Sequence, residues 1–229
     1  MHIKLVTFQN PIFQTIQGEG ILVGTPSVFI RLYGCNDSCE WCDTKGSWKE
    51  GSTFSELAVL RVAEMAKTYN CPHYVITGGN PLLQGDAVYA LMHALSDSGH
   101  ITVETQASLY HAGVSRDADL LSLSPKLHAW PTEALAKFLG DSRVGRQVQI
   151  KVVVQGAEDT RNALSKFCEI LSEMEYAPVC ILQPESSLGR KNVQCVIAEL
   201  EAWQAHAPRK YSENVRIIPQ LHRTSLYVI

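Results

Sequence analysis

The stretch "SVFIRLYGCNDSCEWCDT", residues 27–44, joins a run of apolar and β-branched residues directly to three closely spaced cysteines. Its first half has the composition of a short buried strand. Its second half places Cys35, Cys39 and Cys42 within eight positions of one another. Tetrahedral zinc takes four ligands and a disulfide takes two sulfurs, so three thiols raise the question of what they bind.

Six further runs along the chain resemble this strand in length and composition, and amphipathic stretches separate them. The predicted strands cover residues 27–33, 73–77, 100–104, 119–124, 148–154, 178–183 and 215–220. Repeated alternation of strand and helix predicts an α/β fold with a parallel sheet and helical crossovers. The sequence has no G-x-G-x-x-G dinucleotide fingerprint, so we favour a partial (β/α) barrel over an open doubly wound sheet.

Four helices are predicted between these strands. The first begins at a capping box formed by Thr53 and Glu56. The other three cover about residues 84–98, 157–175 and 191–206. A length of 229 residues suits one compact unit, so we expect residues 1–229 to form a single domain with a short N-terminal segment and a C-terminal tail.

Composition indicates the class of protein and of ligand. Hydrophobic residues make up 45% and charged residues 19% of the chain, and no segment approaches the roughly 18 apolar residues of a membrane helix. The N-terminal segment lacks the basic and apolar regions of a secretory signal. A net charge of -3 offers no basic face for nucleic acid. We therefore expect a soluble, cytoplasmic protein that binds a small molecule, without a membrane or nucleic-acid partner.

In a reducing compartment, seven cysteines indicate metal binding or catalysis rather than a disulfide framework. Cys71, Cys168, Cys180 and Cys195 lie among apolar neighbours and are predicted to be buried small hydrophobes. The clustered cysteines suit zinc or an iron–sulfur cluster, because thiolates favour soft metals. A zinc-stabilised, non-catalytic binding module would need a remote fourth ligand such as Cys71 or His73.

Polar motifs follow most of the predicted strands at the point where each strand ends. Besides the cysteine loop, these motifs are "TGGNP" (77–81), "ETQ" (104–106), "SPK" (124–126), "QPESS" (183–187) and "QLH" (220–222). Parallel strands end at the same edge of a sheet, so we expect these motifs to meet in one site. Within "TGGNP", paired glycines allow close approach of the backbone to a ligand.

The spacing C-x3-C-x2-C, followed by Asp43 and Thr44, resembles the signature of the radical S-adenosylmethionine (SAM) enzymes. In that superfamily three cysteines bind a 4Fe-4S cluster, and SAM binds the open fourth iron. One electron from the cluster yields a 5'-deoxyadenosyl radical that abstracts hydrogen from carbon. The resemblance implies a compact partial barrel of radical SAM type, in which Cys35, Cys39 and Cys42 hold the cluster.

The same resemblance implies which residues contact SAM. Trp41 stands where the superfamily places the adenine, and the glycine pair is where it binds the methionine amino group. The implied cofactor-binding residues are Trp41, Cys42, Asp43, Gly78, Gly79, Asn80, Glu104, Ser124, Pro125, Lys126, Gln183 and Pro184. Asn80 departs from the glutamate that many members carry there, which weakens the prediction of a carboxylate contact.

"QTIQGEG" (14–20), the cysteine loop, "TGGNP", "ETQ", "LSPK", "IKVVV" and "PQLH" together resemble the 7-carboxy-7-deazaguanine synthases in order and spacing. The resemblance implies a radical ring contraction of 6-carboxy-5,6,7,8-tetrahydropterin to 7-carboxy-7-deazaguanine, with release of ammonia. It further implies a role in queuosine or other 7-deazapurine synthesis, a flavodoxin-type electron donor and a homodimer. A glycyl-radical activating enzyme is the alternative that shares the cysteine spacing, but it leaves "QTIQGEG" and "PQLH" unexplained.

The implied substrate contacts lie on both sides of the cysteine loop. They are Ile16, Gln17, Gly18, Glu19, Arg31, Thr77 and His222. The amide and amino edge of a pterin demands paired donors and acceptors, which residues 17–19 can supply. The planar guanidinium of Arg31 suits a carboxylate.

Thr44 matches a family position that ligates Mg2+, an ion that commonly keeps waters and takes its remaining ligands from the substrate. No side chain is assigned as a general acid or base. The tail "RTSLYVI" (223–229) departs from the endings of the family, so no role is assigned to Ile229.

Overall fold

The computed structural model describes residues 1–141, 147–174 and 177–223. Over these residues the strands are β1 (His2–Val6), β2 (Ile12–Ile16), β3 (Pro26–Leu32), β4 (Phe54–Ala58), β5 (His73–Gly78), β6 (His100–Thr105), β7 (Leu120–Leu123), β8 (Gln147–Val154), β9 (Val179–Pro184) and β10 (Val215–Ile217). The α-helices are α1 (Val59–Lys67), α2 (Gly85–Leu95), α3 (Ala112–Asp117), α4 (Thr132–Gly140), α5 (Ala157–Glu173), α6 (Gly189–Gln204) and α7 (Arg209–Ser212). The predicted helix end at residue 175 and the residue Ile229 lie outside the described residues.

These strands form one sheet in the order β10-β9-β8-β7-β6-β5-β3-β1-β4, with β2 also paired to β3. From β10 to β3 every neighbouring pair is parallel. The pairs that involve β1, β2 and β4 are antiparallel. Over the described residues β10 and β4 stand at opposite ends of the sheet, so the sheet is an open, partial barrel.

The seven parallel strands correspond to the seven predicted ones, which confirms an α/β fold with a parallel sheet. They read as continuous apolar runs because helices cover one face and the interior covers the other. Strands β1, β2 and β4 were not predicted. These are five-residue strands at the antiparallel side of the sheet, and β1 and β4 alternate between more and less exposed positions.

The predicted capping box of Thr53 and Glu56 is wrong. Glu56 lies within β4, opposite Lys4 of β1, and α1 begins only at Val59, where no side chain caps it. Five register pairs between β1 and β4 hold this segment extended. Tertiary pairing therefore outweighs the local helical signal, as it commonly does where a strand partner is available.

Two groups of buried apolar side chains fill the space between sheet and helices. One lies around β1 to β7 with α1, α2 and α4, and the other lies around β8 to β10 with α5 and α6. The predicted helices at 84–98, 157–175 and 191–206 correspond to α2, α5 and α6, whereas α3, α4 and α7 were not predicted.

Two of the four isolated cysteines are buried as predicted. Cys71 and Cys180 have exposed fractions of 4% and 0%. Cys168 and Cys195, in contrast, are half-buried. Cys168 follows the buried Phe167 on α5, and one residue along a helix turns the side chain about 100° away from the core.

Among the residues that the structure describes, every helix is too short or too polar to reach across a bilayer.

Candidate active site

A cavity of about 550 Å³ lies at the carboxyl ends of the parallel strands. Arg31 from β3, Thr77 from β5, Glu104 from β6, Lys151 from β8 and Gln183 from β9 all line it. The motifs that follow successive strands therefore border one space, as the topology of a parallel sheet requires.

Most of the predicted site residues line this cavity. They are Ile16, Gln17, Gly18, Glu19, Arg31, Cys35, Cys39, Trp41, Cys42, Asp43, Thr44, Thr77, Gly78, Gly79, Glu104, Ser124, Lys126, Gln183 and His222. Asn80, Pro125 and Pro184 do not line it. Asn80 precedes a short 3-10 turn, and the two prolines follow residues whose side chains face the cavity.

Asn80 is buried, with an exposed fraction of 1%, and its side-chain amide is hydrogen-bonded to other residues of the protein. Its amide nitrogen donates to Asn36 Oδ1 at 2.9 Å and to Ser108 Oγ at 3.2 Å. Its amide oxygen accepts from Thr105 Oγ1 at 2.8 Å. The side chain thus links the cysteine loop to the loop after β6, and its contact with SAM stays a prediction.

The three clustered cysteines are half-buried and line the same part of the cavity. Burial raises the pKa of the Cys35 thiol and raises that of Cys39 to about 11. The neighbouring thiols push in the same direction, whereas the charge of Lys126 opposes them. Thiols packed this closely give up their protons readily only to a metal that neutralises their charge. The donor set therefore fits a 4Fe-4S cluster with one iron left open.

The remote zinc ligands considered from the sequence lie elsewhere. Cys71 Sγ donates to the carbonyl oxygen of Pro26 at 3.3 Å, at the amino end of β3. His73 bonds Ser27 Oγ at 2.7 Å and Thr102 Oγ1 at 2.8 Å, also toward the amino ends of the strands. Neither side chain reaches the cysteine loop at the opposite edge of the sheet, so neither can be the fourth ligand of a zinc ion held by that loop.

The glycine pair is required by the packing of the cysteine loop. A Cβ on Gly79 would lie 2.2 Å from the carbonyl oxygen of Gly34 and 2.8 Å from Cys35 Cβ. Gly78 has a φ of +148°, and a Cβ there would lie 2.2 Å from the carbonyl oxygen of Leu32. The backbone amide of residue 80 also donates to the Gly34 carbonyl at 2.8 Å. These glycines let β5 support the loop directly, apart from any contact with a ligand.

Arg31 has unused hydrogen-bonding capacity at the cavity. Its guanidinium lies over the ring of Phe13, 5.6 Å from the centroid, and its buried Nε has no partner among the described residues. Burial lowers the pKa of Arg31, while the charges of Asp43 and Glu104 oppose that change. A guanidinium on a residue that lines a cavity is suited to bind an anionic group.

Glu104 connects the predicted cofactor residues to the predicted substrate residues. Its carboxylate accepts from Gln17 Nε2 at 3.0 Å and from Thr77 Oγ1 at 2.9 Å. Burial raises the pKa of Glu104, and these two hydrogen bonds counteract the rise. A ligand that moves the Glu104 carboxylate would therefore also move the Gln17 side chain that is bonded to it.

The N-terminal and C-terminal motifs meet across the cavity. The backbone amide of Leu221 donates to the Gly18 carbonyl at 2.8 Å, and a Cβ on Gly18 would lie 2.4 Å from His222 Nδ1. His222 Nε2 is 3.5 Å from Asp43 Oδ2. Desolvation works to raise the pKa of Asp43, but the hydrogen bond of His222 and the charge of Arg31 outweigh it, so the pKa is lowered.

Several cavity residues were missed from the sequence. Trp48 Nε1 donates to Cys42 Sγ at 3.3 Å, and nothing in the loop around it signalled that contact. Lys151 Nζ contacts Glu19 Oε2, and Gln220 Nε2 donates to Glu19 Oε1 at 2.7 Å. Lys151 did carry a signal, since a lone charge inside the apolar run "VQIKVVV" requires a partner.

Comparisons with known proteins cover both the cysteine loop and the motifs around it. Residues 29–170 match the family model of the radical SAM superfamily. The 7-carboxy-7-deazaguanine synthase of Aquifex aeolicus is 30% identical over 220 residues, covering 93% of this chain and 91% of its own. That of Rhodopirellula baltica is 30% identical over 219 residues, covering 90% and 83%. The crystal structure of QueE from Escherichia coli has the same fold, with a TM-score of 0.68, 24% identity, and coverage of 96% and 95%.

The superfamily match begins within β3 and includes all three clustered cysteines. The two synthases align with this chain over nine-tenths of its length. The chain belongs to the radical SAM superfamily and, within it, to the family of the 7-carboxy-7-deazaguanine synthases.

Proposed function

We propose that this protein is a radical SAM lyase that converts 6-carboxy-5,6,7,8-tetrahydropterin into 7-carboxy-7-deazaguanine and releases ammonia. The observation that carries the proposal is one cavity with two walls: the three-cysteine loop, and a polar wall built from residues 17–19 and 220–222. A glycyl-radical activating enzyme or a zinc-binding module accounts for the cysteines but not for the polar wall.

Cys35, Cys39 and Cys42 would hold the 4Fe-4S cluster, and SAM would lie beside them near Trp41 and the glycine pair. When bound, these groups supply the radical that removes hydrogen from the pterin carbon bearing the carboxylate. Lys126, whose Nζ donates to Ser124 Oγ at 3.1 Å, adds positive charge that favours the thiolate form of the nearby cysteines. The contribution of this chain is mainly to place both molecules in reacting geometry and to exclude water.

The substrate would use the polar wall and the guanidinium of Arg31. Residues 17–19 face the amide and amino edge of the pterin, where paired donors and acceptors are needed. Arg31, which lines the cavity, would bind the pterin carboxylate through its guanidinium. Fixing both ends of the substrate holds the carbon that reacts at a constant distance from the cysteine loop.

Mg2+ belongs to the proposal through Thr44. This residue lines the cavity, with its Oγ1 3.7 Å from Cys42 Sγ. One hydroxyl is a sparse site, but Mg2+ keeps several waters and takes other ligands from anionic substrates. The ion would bind the substrate carboxylate and favour the rearrangement electrostatically.

The proposal also covers the domain organisation, location, electron donor and oligomeric state of the enzyme. Residues 1–229 would act as one domain in the cytoplasm, with the N-terminal segment binding the substrate. A flavodoxin-type electron donor and a homodimer, both implied by the sequence resemblance, belong to the same proposal. Light scattering of the purified protein tests the dimer, which has twice the monomer mass of 25.4 kDa.

Anaerobic reconstitution with iron and sulfide, followed by incubation with dithionite, SAM, Mg2+ and the carboxypterin, tests the activity. Mass spectrometry should detect 7-carboxy-7-deazaguanine and ammonia. A brown protein that cleaves SAM but makes no deazaguanine would leave the superfamily standing and remove this substrate. A colourless protein that retains one zinc would overturn the radical chemistry as well.

A further inference from the structure

Strand β8 carries two polar residues, Gln149 and Lys151, on the face that borders the cavity at Lys151. Gln149, Lys151 and Val153 share one face, and the alternation of a strand sends Ile150 and Val152 into the packed core on the other face. Lys151 and Val153 line the cavity. Lys151 is a buried cation, with an exposed fraction of 5%, that the proposed reaction does not yet use.

Lys151 is bonded to Glu19 across the cavity wall. Its Nζ contacts Glu19 Oε2, and the two side chains are 7% and 14% exposed. The other carboxylate oxygen accepts from Gln220 Nε2 at 2.7 Å. Ser186 Oγ in turn donates to Gln220 Oε1 at 2.9 Å, which fixes the direction of that amide. Among the described residues each carboxylate oxygen of Glu19 has one hydrogen-bond donor, which leaves a lone pair for a ligand.

Gln149 anchors the backbone that directly follows Glu19. Its Oε1 accepts from the backbone amide of Ile21 at 2.7 Å, and its Nε2 donates to Ser122 Oγ at 2.7 Å. Gly20 between these anchors has a φ of +71°, and a Cβ there would lie 2.3 Å from Gln149 Nε2. Strand β8 therefore fixes both the backbone after Glu19 and its carboxylate.

The opposite charges of Lys151 and Glu19 compensate each other in a largely buried environment. Burial lowers the pKa of Lys151 to about 8, while a carboxylate in direct contact favours the ammonium and opposes that change. Removing either partner would leave an uncompensated buried charge, which is far less favourable than the intact pair. The contact of the Lys151 ammonium with Glu19 favours the ionised form of that carboxylate.

We propose that Lys151 is a positioning residue that holds Glu19 as an ionised carboxylate facing the cavity, so that the site selects a ligand edge with two adjacent N–H donors. The inference rests on the proposed function, because the 2-amino-4-oxo edge of a pterin is such an edge. A 2,4-dioxo edge places a carbonyl oxygen where the amino group would stand. Two acceptors then face each other, so the fixed carboxylate rejects that ligand.

Binding of two stable analogues tests the proposal: 6-carboxypterin and 6-carboxylumazine, titrated by fluorescence into reconstituted protein with SAM present. The unmodified protein should prefer the pterin by about a hundredfold or more. Lys151→Met should reduce that preference at least tenfold, and Lys151→Arg should restore most of it. Lys137→Met, which removes an exposed ion pair with Glu133 on α4, is the matched control and should change nothing.

A double-mutant cycle separates positioning from a general loss of structure. If Lys151 acts through Glu19, adding Lys151→Met to Glu19→Gln should change pterin affinity less than twofold, and this double variant has no unpaired buried charge. Equal preference for the pterin in the unmodified protein and in Lys151→Met overturns the inference. So does an equally large effect of Lys151→Met in both backgrounds. Failure of the unmodified protein to bind the carboxypterin would instead contradict the proposed function.

Discussion

Cys39 is the middle one of the three clustered cysteines, and burial, followed by the charges of Asp37 and the neighbouring thiols, raises its pKa to about 11. We predict that Cys39→Ala abolishes cluster binding, because two thiolates are too few to hold a 4Fe-4S cluster. Iron and sulfide analysis with a visible spectrum measures the loss. Cys180→Ala, in the buried part of β9, is the control and should bind the cluster normally. A Cys39→Ala protein with full iron content would contradict this assignment.

Thr44 offers a second prediction at the residue scale. Thr44→Ala should leave the iron content unchanged and lower turnover at least tenfold, because the proposed Mg2+ loses its protein ligand. Thr44→Ser keeps the hydroxyl and should retain most of the activity. The measurement is turnover as a function of Mg2+ concentration. If Thr44→Ala responds to Mg2+ as the unmodified protein does, the ion binds elsewhere.

Individual contacts were the part of the site that sequence reasoning predicted least completely. The cysteines could be assigned because their spacing is itself the signal. Lys151 lay inside a quoted motif but was given no role, since its partner Glu19 is 132 residues away in the chain. Trp48 was missed because a hydrogen bond to Cys42 depends on the path of a loop that no local pattern specifies.

Between elements, the contact of the cysteine loop with the end of β5 leaves no room for a side chain at Gly79. We predict that Gly79→Ala lowers the free energy of unfolding by at least about 2 kcal/mol, since the new Cβ meets backbone that cannot move aside. Gly140→Ala at the end of α4, where a Cβ would meet nothing within 4 Å, should be neutral or stabilising by up to about 1 kcal/mol. Urea unfolding of both variants measures the difference, and equal stabilities would refute the packing argument.

The amino ends of β3, β5 and β6 surround His73, and this arrangement predicts a pH dependence. Burial, and then the charge of His100, lower the pKa of His73 to about 4 from an ordinary value of 6.5. Between these values the unfolded chain binds a proton that the folded protein does not. Stability should therefore fall as pH decreases from 6.5 toward 4, by up to about 1.4 kcal/mol per pH unit.

Urea unfolding of the iron-free protein between pH 5 and 7.5 checks this expectation. His73→Gln keeps hydrogen-bonding capacity toward Ser27 and Thr102 but cannot titrate, so its stability should vary less steeply with pH. Identical slopes for the two proteins would show that His73 does not carry the effect.

Elements buried on both faces were predictable, whereas elements that depend on a distant partner were not. The parallel strands appear as continuous apolar runs because every neighbour and both layers bury them. Strand β4 looked like a helix start because Thr53 and Glu56 fit a local rule. Its true state depends on pairing with β1, about fifty residues earlier in the chain, which a local rule does not include.

Over the whole molecule, parallel pairing from β3 to β10 brings cysteines, glycines and carboxylates to one edge of an open sheet. This convergence could be predicted from the order of strands and motifs alone. The closing contact between residues 18 and 221 could not, because it joins two loops from opposite ends of the chain. That contact, with His222 3.5 Å from Asp43, joins the proposed pterin wall to the cysteine loop.

The most direct test of this account uses carboxytetrahydropterin with deuterium on the carbon that bears the carboxylate. The reconstituted protein is incubated with this substrate, dithionite, SAM and Mg2+, and both the product and the recovered SAM are analysed by mass spectrometry. The family resemblance implies that SAM is used catalytically, so that it is re-formed from the deuterated 5'-deoxyadenosine. We therefore predict 7-carboxy-7-deazaguanine as the product and deuterium in the recovered SAM. Formation of the product with no deuterium in SAM, or cleavage of SAM with no deazaguanine, would contradict the account.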